Sequence, residues 1–363
     1  MKPARLVLKT GEVFEGRVPN WVKKPQFGEV VFNTGMVGYT EVLTDPSYQG
    51  QVVCFTYPMI GNYGVENQAH WESDKIHASG VIVSELASFY ARSQGESSLE
   101  NWCQKHHTPI IFDIDTRALT KVLRHHGVVA GAIVIDDKLP DQYPNISDLD
   151  LVPAVSIKAA QEYGKGAKKL IAVDCGMKAN IWRYLCAYDG LTIKRVPYDY
   201  DYTNEAYDGV FISNGPGDPM RCQSTVKILQ KSMAKNPEKP MFGICLGAQI
   251  MGIAICADTY KLKFGHRAQN HPCLLEGTDR SYLTSQNHGF AVKEESIPDN
   301  WQVWFRNLND NTVQGLKHKS LPYSSVQFHP EAGPGPVDTL WLFDRFVNQL
   351  KDRTEHADIL VSR

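Results

Sequence analysis

The chain has 363 residues, of which 42% are hydrophobic and 21% charged, and its 38 basic and 40 acidic residues leave a formal net charge of −2. This composition is typical of a globular protein with buried cores, and the near-neutral charge excludes a general affinity for nucleic acids or anionic membranes. At about 150 residues per domain, the length predicts two domains.

The eight cysteines are scattered along the chain and form no Cys-x-x-Cys pair. This pattern is typical of reduced, mostly buried thiols and predicts a cytoplasmic protein. Residues 1–16 lack the apolar stretch of a signal peptide. The longest uncharged apolar run, 242–256, is shorter than the ~20 residues of a membrane span, so we expect no membrane association.

The first part of the chain, residues 1–146, is predicted as a small mixed α+β domain, because short apolar runs alternate with turns rich in Gly, Pro and Asn. The strand patterns are 6–8, 30–32, 51–55 and 81–83, and the helix patterns are 98–106 and 116–125.

Residues 147–168 are predicted as a linker, since their pattern is weak and they lead into a run rich in Gly and Lys at 164–169. A phosphate loop would need Gly-x-x-x-x-Gly-Lys-Ser/Thr between a strand and a helix, and this motif is absent. The histidines show no ligand spacing with Cys or Asp. We therefore expect no ATP site, no metal site and no cofactor in this chain.

Residues 169–363 are predicted as an α/β domain, because strand and helix patterns alternate. Such an order favours a doubly wound, mostly parallel sheet whose ligands bind beyond the carboxyl ends of the strands. The strand patterns are 170–173, 191–196, 209–213, 241–244 and 323–328, and the helix patterns are 178–187, 224–234, 246–256 and 339–350.

Cys245 follows one of these strands, with Gly243 and Gly247 two residues away on either side. This pattern is typical of a nucleophile elbow, in which side chains at the flanking positions would collide as strand and helix approach each other. The N-terminus of a helix also favours the thiolate form of a cysteine. The other reading is a small buried cysteine.

His329 and Glu331 follow the last predicted strand, in the sequence His-Pro-Glu. Residues two apart in extended chain point the same way, so the carboxylate of Glu331 can orient the imidazole of His329. The histidine would take the proton of an attacking thiol and return one to the leaving group. A packing histidine is the alternative.

The turn Asn214-Gly215-Pro216-Gly217-Asp218 follows a third strand. Because Pro216 has no N–H, the candidate donors are the amides of Gly215 and Gly217, together with that of Leu246 after the nucleophile. Such donors can stabilise a tetrahedral oxyanion. Read alone, the turn is equally consistent with a structural role.

Together these motifs resemble the class I glutamine amidotransferases. The first domain resembles the small subunit of carbamoyl-phosphate synthetase in several further motifs. They are Phe32-Asn33-Thr34, Gly38-Tyr39, Leu43-Thr44-Asp45-Pro46-Ser47-Tyr48, Tyr57-Pro58, Ile60-Gly61-Asn62 and Asp113-Ile114-Asp115-Thr116-Arg117. Two residues depart from the pattern of the family. Ala248 stands where the family often has histidine, and Ser84 stands where it commonly has arginine.

The resemblance implies hydrolysis of L-glutamine through a cysteine thioester and delivery of ammonia to the large, synthetase subunit, which would bind ATP and Mg and make carbamoyl phosphate for arginine or pyrimidine biosynthesis. It implies Cys245, His329 and Glu331 as catalytic residues. It further implies that Gly215 and Leu246 form the oxyanion hole. The other residues implied in the glutamine site are Ser47, Gly217, Gln249, Asn287, Gly289 and Phe290.

Two alternatives stay open on the sequence. One is a glutaminase subunit of another synthetase, for anthranilate, aminodeoxychorismate or GMP, against which the first domain argues. The other is a non-catalytic docking subunit, against which the three intact catalytic candidates argue.

Overall fold

The computed structural model describes residues 1–91, 95–135 and 142–351. Two compact units divide the chain: the first comprises Met1–Leu151 with Leu262–Ala268, and the second comprises Val152–Lys261 and the residues from Gln269 onward.

The first unit contains nine strands and three α-helices among its described residues. The strands are β1 (Lys2–Leu8), β2 (Val13–Val18), β3 (Gln26–Asn33), β4 (Gln51–Phe55), β5 (Met59–Ile60), β6 (Gly80–Ile82), β7 (Glu85–Leu86), β8 (Ile110–Ile111) and β9 (Val129–Val134), and the helices are α1 (Tyr39–Thr44), α2 (Leu99–Lys105) and α3 (Thr116–His126).

Seven of these strands form one mixed sheet in the order β2-β1-β9-β3-β4-β6-β8. The pairs β3–β4, β4–β6 and β6–β8 are parallel, whereas β1 pairs antiparallel with β2 and β9. Adjacent valines such as Val30 and Val31, or Val52 and Val53, are fully buried. Parallel strands covered on both faces have this continuous apolar character. The predicted mixed α+β arrangement is confirmed.

From Val152 onward the described chain contains ten more strands and five more α-helices. The strands are β10 (Gln161–Tyr163), β11 (Lys168–Asp174), β12 (Leu191–Pro197), β13 (Gly209–Ile212), β14 (Met241–Ile244), β15 (Thr259–Leu275), β16 (Ser281–Val292), β17 (Trp301–Asn307), β18 (Val313–His318) and β19 (Tyr323–Val326), and the helices are α4 (Val152–Val155), α5 (Ala179–Cys186), α6 (Gln223–Lys235), α7 (Leu246–Ala254) and α8 (Trp341–Lys351).

These strands form a ten-stranded sheet in the order β10-β12-β11-β13-β14-β19-β18-β17-β15-β16. Five neighbouring strands of this sheet, β12, β11, β13, β14 and β19, are parallel to one another. Alternate residues of β11 pack on opposite faces: Ile171 and Val173 join a core that includes residues of α6 and α7, and Leu170 and Ala172 join a core that includes residues of α5 and α8. Helices cover both faces, which confirms the predicted doubly wound α/β fold.

The antiparallel strands β15, β17 and β18 extend the sheet beyond β19 and are not recognisable in the sequence. Buried and exposed residues do not alternate regularly along β15, so its hydrophobic pattern has no period of two.

The predicted linker, residues 147–168, includes helix α4 and strand β10, which pairs antiparallel with β12. The predicted domain boundaries themselves stay a prediction. No helix in the described ranges is long and apolar enough to span a membrane.

Candidate active site

Cys245 lies at the sharp turn between β14 and α7, with backbone angles φ 54° and ψ −104° that are strained for a residue with a side chain. Glycine is required on both sides. A Cβ on Gly243 would lie 2.6 Å from the carbonyl oxygen of Gly247, and one on Gly247 would lie 2.2 Å from that of Ile212. The sequence therefore makes the turn expected of a nucleophile elbow.

His329 and Glu331 follow β19 and are fully enclosed, with 2% and 0% of their surface exposed. The imidazole Nδ1 lies 2.6 Å from Oε1 of Glu331, so it donates its hydrogen to the carboxylate. The backbone N–H of His329 donates to the carbonyl oxygen of Ser285 at 2.9 Å. The acid thus fixes the ring so that Nε2 is the nitrogen left for chemistry.

Lys178, which was not predicted from the sequence as a site residue, forms a buried ion pair with Glu331. Its Nζ lies 3.1 Å from Oε1 of Glu331 and also donates to the carbonyl oxygen of Ala332, while its side chain is 3% exposed. Its backbone N–H donates to Oδ1 of Asn214 at 3.0 Å. Lys178 lies just beyond the carboxyl end of β11. Ligands of such sheets bind beyond the carboxyl ends of the strands, so a polar residue at this position is a candidate for the site.

The buried charges stabilise one another. Burial alone would lower the pKa of His329, but Glu331 and Cys245 raise it above its ordinary value. Burial alone would raise the pKa of Glu331, but Lys178 and His329 lower it. The Glu331 carboxylate therefore stabilises the imidazolium that forms when His329 takes up a proton.

Cys245 is near enough to influence His329 electrostatically. Cys245 also raises the pKa of His329 through a side-chain hydrogen bond. The backbone N–H of Cys245 donates to the carbonyl oxygen of Val326 at 2.9 Å, which holds Cys245 beside the strand that leads to His329.

Gly215 and Leu246, the predicted oxyanion-hole residues, lie in the second unit with Cys245. A Cβ on Gly215 would lie 2.0 Å from the carbonyl oxygen of Cys175 and 2.8 Å from the Leu246 side chain, so only glycine fits. Gly217 has φ +90°, which also favours glycine. Leu246 is the first residue of α7, where a backbone N–H has no acceptor within the helix.

Other predicted glutamine-binding residues converge on the same unit. The Sγ of Cys245 lies 3.5 Å from the carbonyl oxygen of Asn287, and Nε2 of Gln249 donates to that of Phe290 at 2.9 Å. Asn287, Gly289 and Phe290 are all in β16.

Ser47 belongs to the first unit, where its N–H donates to Oδ1 of Asp45 at 2.9 Å. Its place in the glutamine site stays a prediction.

Among the described residues, no three His, Cys, Asp or Glu side chains are grouped as metal ligands.

The fold and the site define a class I glutamine amidotransferase: residues 171–349 match the family described as "Glutamine amidotransferase class-I". Residues 6–133 match a second family, "Carbamoyl-phosphate synthase small chain, CPSase domain". The chain belongs to the carbamoyl-phosphate synthase small-chain family, a glutamine-hydrolysing group, as the sequence predicts. The match of the first domain favours this family over the glutaminase subunits that serve anthranilate, aminodeoxychorismate or GMP synthesis.

Full-length relatives support the same assignment. The chain is 44% identical to the carbamoyl phosphate synthase small chain of Methanocaldococcus jannaschii, over 96% of this chain and 99% of that protein. It is 41% identical to the arginine-specific small chain of Debaryomyces hansenii, over 96% of this chain and 85% of that protein. It is also 46% identical to the multifunctional protein CAD of Squalus acanthias, of which it spans only 16%.

Proposed function

We propose that Cys245 attacks the side-chain amide carbon of L-glutamine. The thiol proton passes to Nε2 of His329 and then to the departing nitrogen, so that ammonia leaves and a γ-glutamyl thioester remains. Water, deprotonated by the same imidazole, cleaves the thioester to glutamate and regenerates the thiol. The observation that carries this proposal is the strained turn of Cys245 next to the buried His329–Glu331 pair.

In this proposal the backbone N–H groups of Gly215 and Leu246 bind the oxyanion of each tetrahedral intermediate. The first turn of α7 adds the positive end of its peptide dipoles. These donors are fixed in place, because Gly215 packs against a neighbouring backbone carbonyl and Leu246 begins the helix.

We propose that six residues bind the amino-acid end of glutamine. A buried ammonium and carboxylate need hydrogen-bonding partners, which amide side chains, a hydroxyl and backbone groups can provide. These residues are Ser47, Gly217, Gln249, Asn287, Gly289 and Phe290.

The ammonia is proposed to pass to a carbamoyl-phosphate synthetase large subunit. Relatives named as arginine-specific small chains and as multifunctional proteins fit a role in arginine or pyrimidine biosynthesis. ATP and Mg are assigned to the large subunit. All eight cysteines are free, which supports a reducing, cytoplasmic location.

The test is Cys245→Ser in the assembled enzyme. This variant should abolish glutamine-dependent synthesis of carbamoyl phosphate and spare synthesis from added ammonia, because only the glutaminase nucleophile is lost. Cys256→Ser is the control, since it makes the same change at an exposed thiol. Parallel loss of both activities, or of neither, would refute the assignment of Cys245.

A second test concerns the partner. The isolated chain should hydrolyse glutamine slowly and form no carbamoyl phosphate. With the large subunit, ATP and bicarbonate, it should coelute in size-exclusion chromatography and release glutamate faster. Synthesis by the chain alone, or failure to associate, would contradict the proposal.

A further inference from the structure

Two buried glutamine side chains meet within the second unit. Nε2 of Gln249 donates to the carbonyl oxygen of Phe290 at 2.9 Å and to Oε1 of Gln327 at 3.1 Å. Gln249 and Gln327 are 3% and 2% exposed. Because a backbone carbonyl can only accept, the end of Gln249 that faces Phe290 must be its NH₂ group, and Gln327 must then present its oxygen.

This arrangement uses both amide hydrogens of Gln249. Its Oε1 receives no hydrogen bond from any described residue, so Gln249 offers a ligand only an acceptor. Such an oxygen matches a hydrogen-bond donor, as the α-ammonium group of an amino acid is. Rotating the Gln249 amide by half a turn would direct its oxygen at two acceptors.

We propose that Gln327 is a positioning residue for glutamine recognition: it accepts one hydrogen of the Gln249 amide and so keeps Oε1 of Gln249 directed at the substrate α-ammonium. The inference rests on the proposed place of Gln249 in the glutamine site. Gln327 leaves its own Nε2 without a hydrogen-bond partner in the described structure. The hydrogen bond with Gln249 is therefore the only one that the Gln327 side chain makes with a described residue.

Gln314 provides a matched control in the same sheet. The backbone N–H of Gln327 donates to the carbonyl oxygen of Gln314 at 2.8 Å, and Gln314 is 0% exposed. Its side chain also has an unpartnered amide atom, Oε1, while its Nε2 donates to Thr312. Gln314 does not bond to Gln249, so Gln314→Met repeats the change without affecting the proposed contact.

The experiment compares glutamine hydrolysis by the full chain and its variants Gln327→Met, Gln327→Glu and Gln314→Met. Gln327→Met should raise KM for glutamine about tenfold, or ~1.4 kcal/mol, with kcat within about twofold, since the contact bears on binding rather than on chemistry. Gln327→Glu retains an acceptor and should recover most of the affinity. An unchanged KM in Gln327→Met, or an equal rise in Gln314→Met, would overturn the proposal.

A double variant separates positioning from general packing. In a Gln249→Met background, Gln327→Met should raise KM by less than about twofold, because the group it positions is gone. A further tenfold rise there would refute the role of Gln327. Failure of the catalytic assignment would instead leave Cys245→Ser active, which is a different result.

Discussion

Replacing Lys178 by Met tests how strongly the buried ion pair supports the catalytic segment. The side chains of Lys178 and Glu331 are 3% and 0% exposed, with Nζ and Oε1 3.1 Å apart. Removing one partner leaves a buried carboxylate whose remaining ion pair is with His329, and this change costs about 3–5 kcal/mol in comparable buried pairs. We therefore expect Lys178→Met to lower the free energy of unfolding by that amount.

Lys231 gives the matched control, because its 2.8 Å ion pair with Asp201 is 54% and 48% exposed on the two side chains. Lys231→Met should cost less than about 1 kcal/mol. Urea unfolding followed by tryptophan fluorescence and circular dichroism measures both. A double variant, Lys178→Met with Glu331→Gln, should regain part of the loss, since no unpaired charge stays buried. If Lys178→Met destabilises no more than Lys231→Met, the reasoning is wrong.

Three further predictions concern the catalytic segment and the elbow. His329→Asn should reduce kcat for glutamine by about 10²-fold or more while binding is largely kept. Glu331→Gln should reduce kcat less, because an amide oxygen still accepts the imidazole N–H. Equal, complete loss of activity in the two folded variants would contradict this division of roles. Because the pKa of His329 is raised from its ordinary 6.5, the stability gained from its protonation is complete below about pH 6.5 and is lost as the pH rises through the raised pKa. Glu331→Gln removes a charge that raises this pKa, so its urea midpoint should approach that of wild type at alkaline pH; a constant difference across the titration would argue against the coupling. Gly247→Ala should destabilise the protein by ~1–3 kcal/mol, because its Cβ would lie 2.2 Å from a backbone oxygen. Gly252→Ala in the same helix is the control: its Cβ would meet only a valine side chain, so it should lower the stability less. If thermal unfolding showed Gly252→Ala to be the less stable variant, the elbow would tolerate a side chain.

Local patterns in the sequence were enough to predict the parallel core and the polar ends of its strands. Strand β14 begins and ends where the sequence predicts, because a short apolar run is bounded there by Pro240 and by the Cys245 turn. Gly243 and Gly247 predicted the elbow, because strand and helix approach each other so closely there that only glycine fits at the flanking positions. His329 and Glu331 were recognisable because they lie two residues apart on one chain segment.

Contacts between distant segments could be decided only by the tertiary structure. Lys178 is 153 residues before Glu331 in the chain, and no local pattern indicates that their side chains meet. The same holds for Gln249 and Gln327, 78 residues apart, whose amide orientations depend on the carbonyl oxygen of Phe290. A sequence determines periodicity and turn chemistry directly, because these act over a few residues. Which buried charges and amides satisfy one another depends on how the strands are ordered in the sheet, and that order is a property of the folded chain.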